Sequence, residues 1–217
     1  MEEEIIKTEI YFQTPIYLVD IPQWVKPINK ISDRYIKEAV KNNKKKIKEK
    51  TKKYKKSMQD FGIVNHSTPM FNDPEMKTFT NYISGFSYKL LDHQGFDMSI
   101  YNLIWTELWV QEFPKNGGGY HNNHVHSNNH ISGFYFLKCS DKTSYPIFHD
   151  PRPTKLMTQL KQKDESQATL SSEKINFKIF PGTLMVFNSY LFHEFVMDEG
   201  IEPFRFIHFN LQAIPKL

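Results

Sequence analysis

The sequence predicts a mainly β fold, a jelly roll of two antiparallel sheets with N-terminal helices packed on one face. Two textures of the chain point to it. Before residue 97, apolar residues recur at three- to four-residue spacing in two stretches; from about residue 98, seven or eight short ring-rich runs alternate with turn formers. With 217 residues, one core is expected, a single domain over 1–217 in which 1–97 gives helical and N-terminal support and 98–217 the jelly-roll core. The 18 Phe and 11 Tyr must fill much of that core, and such rings favour strands.

Taken in order, "EIYFQTPIYLVDIP" near the N-terminus supplies one or two strands. The segment "SDRYIKEAVKNNKKKIKEKTKKYKKSMQDFG" carries Ile36, Val40, Ile47, Tyr54 and Met58 as a sparse stripe, with Ser32 or Asp33 to cap it and Gly62 to end it. It reads as one long helix, or two broken near Asn42 and Asn43. From Asp33 to Lys56 the net charge is +9, so the rest of this +4 chain carries −5. The Lys-rich helix 33–56 is either a solvated face or a docking surface for an acidic macromolecule. Nothing in it reads bases: there is no finger, recognition helix or interleaved aromatic platform.

A second, better buried helix is expected over 73–95, with Asp73 as cap, Pro74 in the first turn, and Met76, Phe79, Tyr82, Ile83, Phe86 and Leu90 on its inner face. Strands follow in "MSIYNLIWTELWVQEF", "HISGFYFLK", "SYPIFHD", "KINFKIFP", "TLMVFNS", "LFHEFVM" and "FRFIHFNLQAI". The polar stretch 150–173 reads as a surface loop. There is no internal repeat, phosphate-binding glycine loop or nucleophile elbow.

No apolar run is long enough to cross a bilayer, and the acidic start "MEEEIIKTEIYF" is unlike a secretory signal, so a cytoplasmic protein without membrane partners is expected. The single Cys139 can form neither an internal disulfide nor a cysteine zinc site, which moves any metal site toward histidine and carboxylate ligands.

Histidines are where chemistry concentrates. "GGGYHNNHVHSNNHISGFYFL", residues 117–137, holds His121, His124, His126 and His130. Ligands at i and i+2 on an extended segment face the same way, so His124 and His126 can share one ion, and His193 can join them from a neighbouring strand. Three ligands on one side of an octahedral metal leave three positions open, as in non-haem Fe(II) oxygenases; a structural zinc site is closed. Arg205, on the apolar strand "FRFIHFN", is costly to bury without an anion, which is either a ligand carboxylate or a structural Asp or Glu.

Four motifs in order, "HVHSNNHISGFYFL", "PIFHDPR", "FPGTLMVFNSYLFHEFV" and "FRFIHFN", resemble those of a family of 2-oxoglutarate- and Fe(II)-dependent oxygenases. The resemblance covers roughly the last 120 residues, and more loosely "TPIYLVDIP" and the helices. It implies a double-stranded β-helix, a distorted and cupin-like jelly roll, using Fe(II), 2-oxoglutarate and O2. It further implies that His124, His126 and His193 bind iron, and that Arg205, with the Tyr135 hydroxyl, clamps the far carboxylate of 2-oxoglutarate. Two departures stand out. His126 replaces the usual carboxylate ligand, unless Asp150 supplies one or His121 displaces one of the pair; and Ile207 stands where many such enzymes have a serine that holds the cosubstrate.

The function so implied is hydroxylation of an unactivated C–H bond in a small molecule or a peptide, a peptidyl proline being one option. Trp105, Trp109, Phe134, Phe136 and Phe187 line the pocket or belong to the ordinary sheet core; Asn188 and Asn210 are candidate hydrogen-bond donors around it. Arg152 either pairs with Asp150 or meets substrate, and His121 and His130 are rim or loop residues unless His121 is a ligand. Two other readings compete. One is a cupin-like three-histidine metal enzyme without 2-oxoglutarate, which has no need of Arg205. The other is a non-catalytic module that docks through its basic helix.

Overall fold

A computed structural model describes residues 7–54, 63–115, 117–158 and 160–216. Strand β1 (Ile16–Asp20) leads into helix α1 (Val25–Tyr54), and β2 (Asn65–His66) precedes α2 (Lys77–His93). The strands β3 (Tyr101–Phe113), β4 (His121–His124), β5 (Ile131–Lys138), β6 (Pro146–His149), β7 (Lys174–Asn176), β8 (Thr183–Asn188), β9 (His193–Phe195) and β10 (Phe204–Pro215) complete the chain.

The strands form a six-stranded sheet, β1-β8-β5-β10-β3-β2, and a four-stranded sheet, β4-β9-β6-β7, with antiparallel pairing throughout. The expected jelly roll is present, with both helices on the outer face of the larger sheet. Two buried layers result. Between helices and sheet lie Ile28, Ile31, Phe79, Ile83, Leu108, Val110, Tyr135, Leu184, Val186, Ile207, Phe209 and Leu211. Between the sheets lie Phe113, Phe134, Phe136, Phe148, Met185, Phe187, Phe195, Phe204 and Phe206. Side chains of a strand alternate between faces, so β10 sends Phe204 and Phe206 inward and Ile207 and Phe209 toward the helices.

Helix α1 begins earlier than its polar residues suggest. Ser32 is no cap: it lies inside the helix and is fully buried, while Pro27 in the first turn needs no backbone N–H partner. The helix is continuous past Asn42 and Asn43, and the Asn43 amide donates to Val64 O and Asn65 Oδ1, which ties it to β2. Its lysines face solvent. The expected stop at Gly62 and the stripe residue Met58 lie outside the described residues. In the second helix Asp73 accepts from Glu75 N as expected, though the first turn, Pro74–Met76, is a 3-10 turn that leads into α2. The loop over 150–173 holds one short 3-10 segment, Pro153–Thr158.

Candidate metal centre

Glycines deliver the histidines. Gly117 and Gly118 adopt φ of 72° and 87°, and Gly118 N donates to Asp198 O while Asp198 N donates to Gly119 O. A Cβ on Gly117 would stand 2.3 Å from Asp198 O, so only glycine permits this approach. The stitch sets β4 against β9, His121 opposite Phe195 and His124 opposite His193. Beyond the end of β4, His126 N donates to Ser189 O, which turns that residue back toward the strand that carries His193.

Ligand atoms of His124, His126 and His193 all lie within 4.8 Å of one another. His124 Nδ1 stands 2.6 Å from Asn122 O and His193 Nδ1 2.9 Å from Leu191 O. A hydrogen bond to a carbonyl needs the proton on Nδ1, so both rings present a bare Nε2 lone pair, the form that binds a metal. Burial holds His126 down to about 4 and His193 to about 3, and neighbouring histidines push the same way, so both are neutral at physiological pH. Three converging imidazoles, two of them with oriented lone pairs, fit a divalent transition metal.

The other expected residues divide. His121 is half-buried beside this group, stacked on Phe113, and its Nε2 lies 2.8 Å from Gln111 Oε1; desolvation holds it down to about 4. Trp109, Phe134, Phe136 and Phe187 line the interior around the rings, but Trp105 does not: it sits on the helix side, edge-on to Phe209. Asp150 is not in the three-histidine group. Arg152 and Lys155 hold its carboxylate, and their hydrogen bonds keep it well below the usual range. Asp150 and Arg152 line a separate cavity shared with Phe148 and Leu191. Asn188 faces outward, paired with Gln94, whereas Asn210 faces inward and donates to Glu107 Oε2. His130 serves the backbone: its Nδ1 accepts from Ala213 N.

Arg205 and Tyr135 require correction. Both lie on the helix side of the larger sheet. Arg205, 4% exposed, donates to Glu112 Oε2 at 2.7 Å and to Asp33 Oδ1 at 2.7 Å. The Tyr135 hydroxyl donates to Ile21 O at 2.9 Å, and burial raises its pKa. Phe204 and Phe206 take the inward positions on either side of Arg205, and Phe134 and Phe136 do the same around Tyr135. The remaining arginines, Arg34 and Arg152, pair with Asp73 and Glu75, and with Asp150. All three arginines of the chain are thus engaged away from the histidines. The three-imidazole group fits the metal; no guanidinium faces the interior to meet the far carboxylate of 2-oxoglutarate.

Sequence reasoning passed over His208. It is fully buried on β10, stacked on Trp109 with centroids 4.4 Å apart, and its Nε2 lies 3.1 Å from His126 Nε2. Ser132 and Asn210 lie on the same inner surface, with Ser132 Oγ 2.6 Å from Asn210 Oδ1. The available signal was parity: His208 and Asn210 share the face of Phe206, and Arg205 does not.

Residues 107–210, just under half of the chain, match a family model described as "Putative 2OG-Fe(II) oxygenase". That stretch of the chain is similar to the family. The family's cofactor and cosubstrates are Fe(II), 2-oxoglutarate and O2. No curated protein matches the chain. Among solved structures, a prolyl-4-hydroxylase from Pseudomonas putida superposes with a TM-score of 0.53 at 9% identity, over 92% of this chain and 93% of that one. A Trichoplax adhaerens prolyl hydroxylase in complex with a hypoxia-inducible factor peptide gives 0.51 at 9%, over 91% and 83%. The epimerase SnoN, in complex with Fe3+, α-ketoglutarate and nogalamycin RO, gives 0.56 at 10%, over 94% and 82%. At such identities the likeness shows the fold, the double-stranded β-helix expected from the motifs. The chain spans 59% of the length of a Burkholderia pseudomallei oxidoreductase of the 2OG-Fe(II) oxygenase family. Among the described residues, no helix is long and apolar enough to cross a membrane.

Proposed function

We propose that the chain is a mononuclear non-haem Fe(II) oxygenase that hydroxylates a C–H bond, with His124, His126 and His193 as its metal ligands. The supporting observation is the convergence of three imidazoles, two with Nε2 bared by a backbone carbonyl at Nδ1. Bound there, Fe(II) supplies O2 activation, coupled in this family to the oxidative decarboxylation of 2-oxoglutarate to succinate. The protein's own part is to orient the rings, to keep His126 and His193 unprotonated by burial, and to pack Phe134 and Phe187 against His193, which excludes water. Substrate reaches the centre through the opening lined by Val64, Tyr120, His121, Asn122 and His124. The neighbours act on or bind both kinds of molecule proposed as substrate, a peptide and a small molecule.

One observation favours the second reading, a three-histidine metal enzyme that works without 2-oxoglutarate: Arg205 is already neutralised by Glu112 and Asp33. A single experiment separates the two. Anaerobic Fe(II) protein given 2-oxoglutarate develops a weak visible charge-transfer band, and releases succinate once O2 is admitted, if the cosubstrate binds. Iron bound in one equivalent with neither signal would leave the second reading standing.

A further inference from the structure

Helix α1 turns its charge in one direction. From Lys41 to Lys53 eight lysines stand against one acid, Glu49, a net charge of +7 in 13 residues. Asn43, Ile47 and Thr51 are half-buried, so this part of the helix keeps one side to the body of the protein, where the Asn43 amide fixes it to Val64 O and Asn65 Oδ1. With 3.6 residues to a turn, Lys41, Lys45, Lys48 and Lys52 fall on a single stripe turned away from that side, and all four are exposed. The ion pairs of α1 lie nearer its start, at Asp33 and Arg34; among the described residues, these four ammonium groups pair with no carboxylate.

Such a stripe costs stability, because like charges four residues apart on a helix repel. Its composition also selects the partner. Lysine is depleted from protein–protein interfaces, which are anchored by rings and arginines, and neither a ring nor an arginine stands between Lys41 and Lys53. Single-stranded nucleic acids are held by stacking on aromatic side chains, which are missing there for the same reason. A duplex backbone asks only for positive charge placed along its phosphates. The stripe runs for about 17 Å along the helix axis, and each strand of a duplex carries one phosphate per about 3.4 Å of its own axis. About five phosphates of one strand fit that length, enough to engage four lysines on flexible stems. We propose that this face of α1 is a docking surface for the phosphate backbone of double-stranded nucleic acid, bound without regard to sequence. The surface works without iron, so its test does not depend on the reading of the metal centre.

Fluorescence anisotropy of the full chain with short labelled DNA duplexes of two unrelated sequences provides that test. Both should bind alike. Four lysine–phosphate contacts give a slope of log affinity on log salt of about −3.6, a loss of about 150-fold between about 50 and 200 mM. K41Q, K45Q, K48Q and K52Q combined keep the helix propensity and should flatten the slope by about that amount. K77Q, K142Q, K161Q and K163Q combined remove the same charge from exposed positions elsewhere and should leave the slope unchanged. Equal losses in the two variants would overturn the proposal, because net charge and not the stripe would then be responsible. So would the absence of duplex binding at low salt, which is the behaviour of a merely solvated face, or displacement of the duplex by polyglutamate more readily than by unlabelled duplex, which would make an acidic protein the partner. Lysine acetylation of the wild type needs no variant: duplex that protects Lys41, Lys45, Lys48 and Lys52 supports the surface, and duplex that leaves them as reactive as before refutes it.

Discussion

The two faces of the larger sheet carry the same kinds of residue to different ends. Toward the helices, β10 presents Arg205, Ile207, Phe209 and Leu211; toward the smaller sheet it presents Phe204, Phe206, His208 and Asn210. On the helix face the polar group is a cation, fully paired: Glu112 and Asp33 neutralise it, and Asn29 Oδ1 accepts a further bond at 3.3 Å. On the inner face, beside Asn210, stand the imidazoles of His193 and His208, held neutral by burial. The first arrangement is complete in itself, and the second offers ligand atoms to an ion. A buried charge that already has its counter-charges is an architectural element; a buried lone pair with no proton to meet is a binding site.

The sharpest way to break this contrast is Arg205→Ala. It leaves the Glu112 carboxylate buried with Lys138, 3.7 Å away, as its remaining cation, and should cost about 3–5 kcal/mol in urea unfolding. Metal stoichiometry of the folded fraction should be unchanged, whereas an arginine serving the metal side would show the reverse pattern. Replacing Arg205 and Glu112 together by Met and Leu should recover most of the loss.

A smaller effect is expected at Gly133, where the helix layer presses against β5. A Cβ there would lie 2.3 Å from the Phe209 ring and 2.6 Å from Met185 O, and backbone cannot yield cheaply. Gly133→Ala should lower stability by about 1–3 kcal/mol, measured as a shift in thermal midpoint.

Smallest is the outer rim of the ion pair. The hydrogen bond from Arg205 holds the Asp33 carboxyl below 3.8, its ordinary value, so its contribution is present above 3.8 and is lost as pH falls through the lower folded value. Asp33 is 55% exposed on its side chain, so Asp33→Asn should cost under about 1 kcal/mol at pH 7. The difference from wild type should shrink progressively in unfolding curves taken at falling pH below 3.8; a difference that stayed constant would mean that Asp33 acts through packing rather than charge.

Much of the fold was legible because period and punctuation agree with it: Asp73 and Pro74 before the second helix, ring-rich runs between turn glycines, and a stripe on α1 too thin for anything but one-sided burial. The histidine trio was legible for a similar reason, since HxH spacing on an extended segment limits where two rings can point. Arg205 and Tyr135 were misplaced for a specific physical reason. From Phe204 to Leu211 every residue of β10 is buried, and β5 is buried from Ile131 to Leu137, because helices cover one side and a second sheet covers the other. Such strands lack the polar-apolar alternation that marks inside and outside, so parity could be read from the sequence but not which parity faced the metal. His208 shared that ambiguity. The early start of α1 was hidden by Ser32, a residue that caps helices elsewhere and here is simply enclosed.

The acceptors that hold His124 and His193 in their metal-ready form are peptide carbonyls, at Asn122 and Leu191. Every amino acid brings that same oxygen. The identities at 122 and 191 can therefore drift without disturbing the protonation pattern of the rings, while a one-residue insertion between Asn188 and His193 would displace the oxygen and undo it. Tolerance of substitution combined with intolerance of length change is the mark such a centre should leave on its descendants.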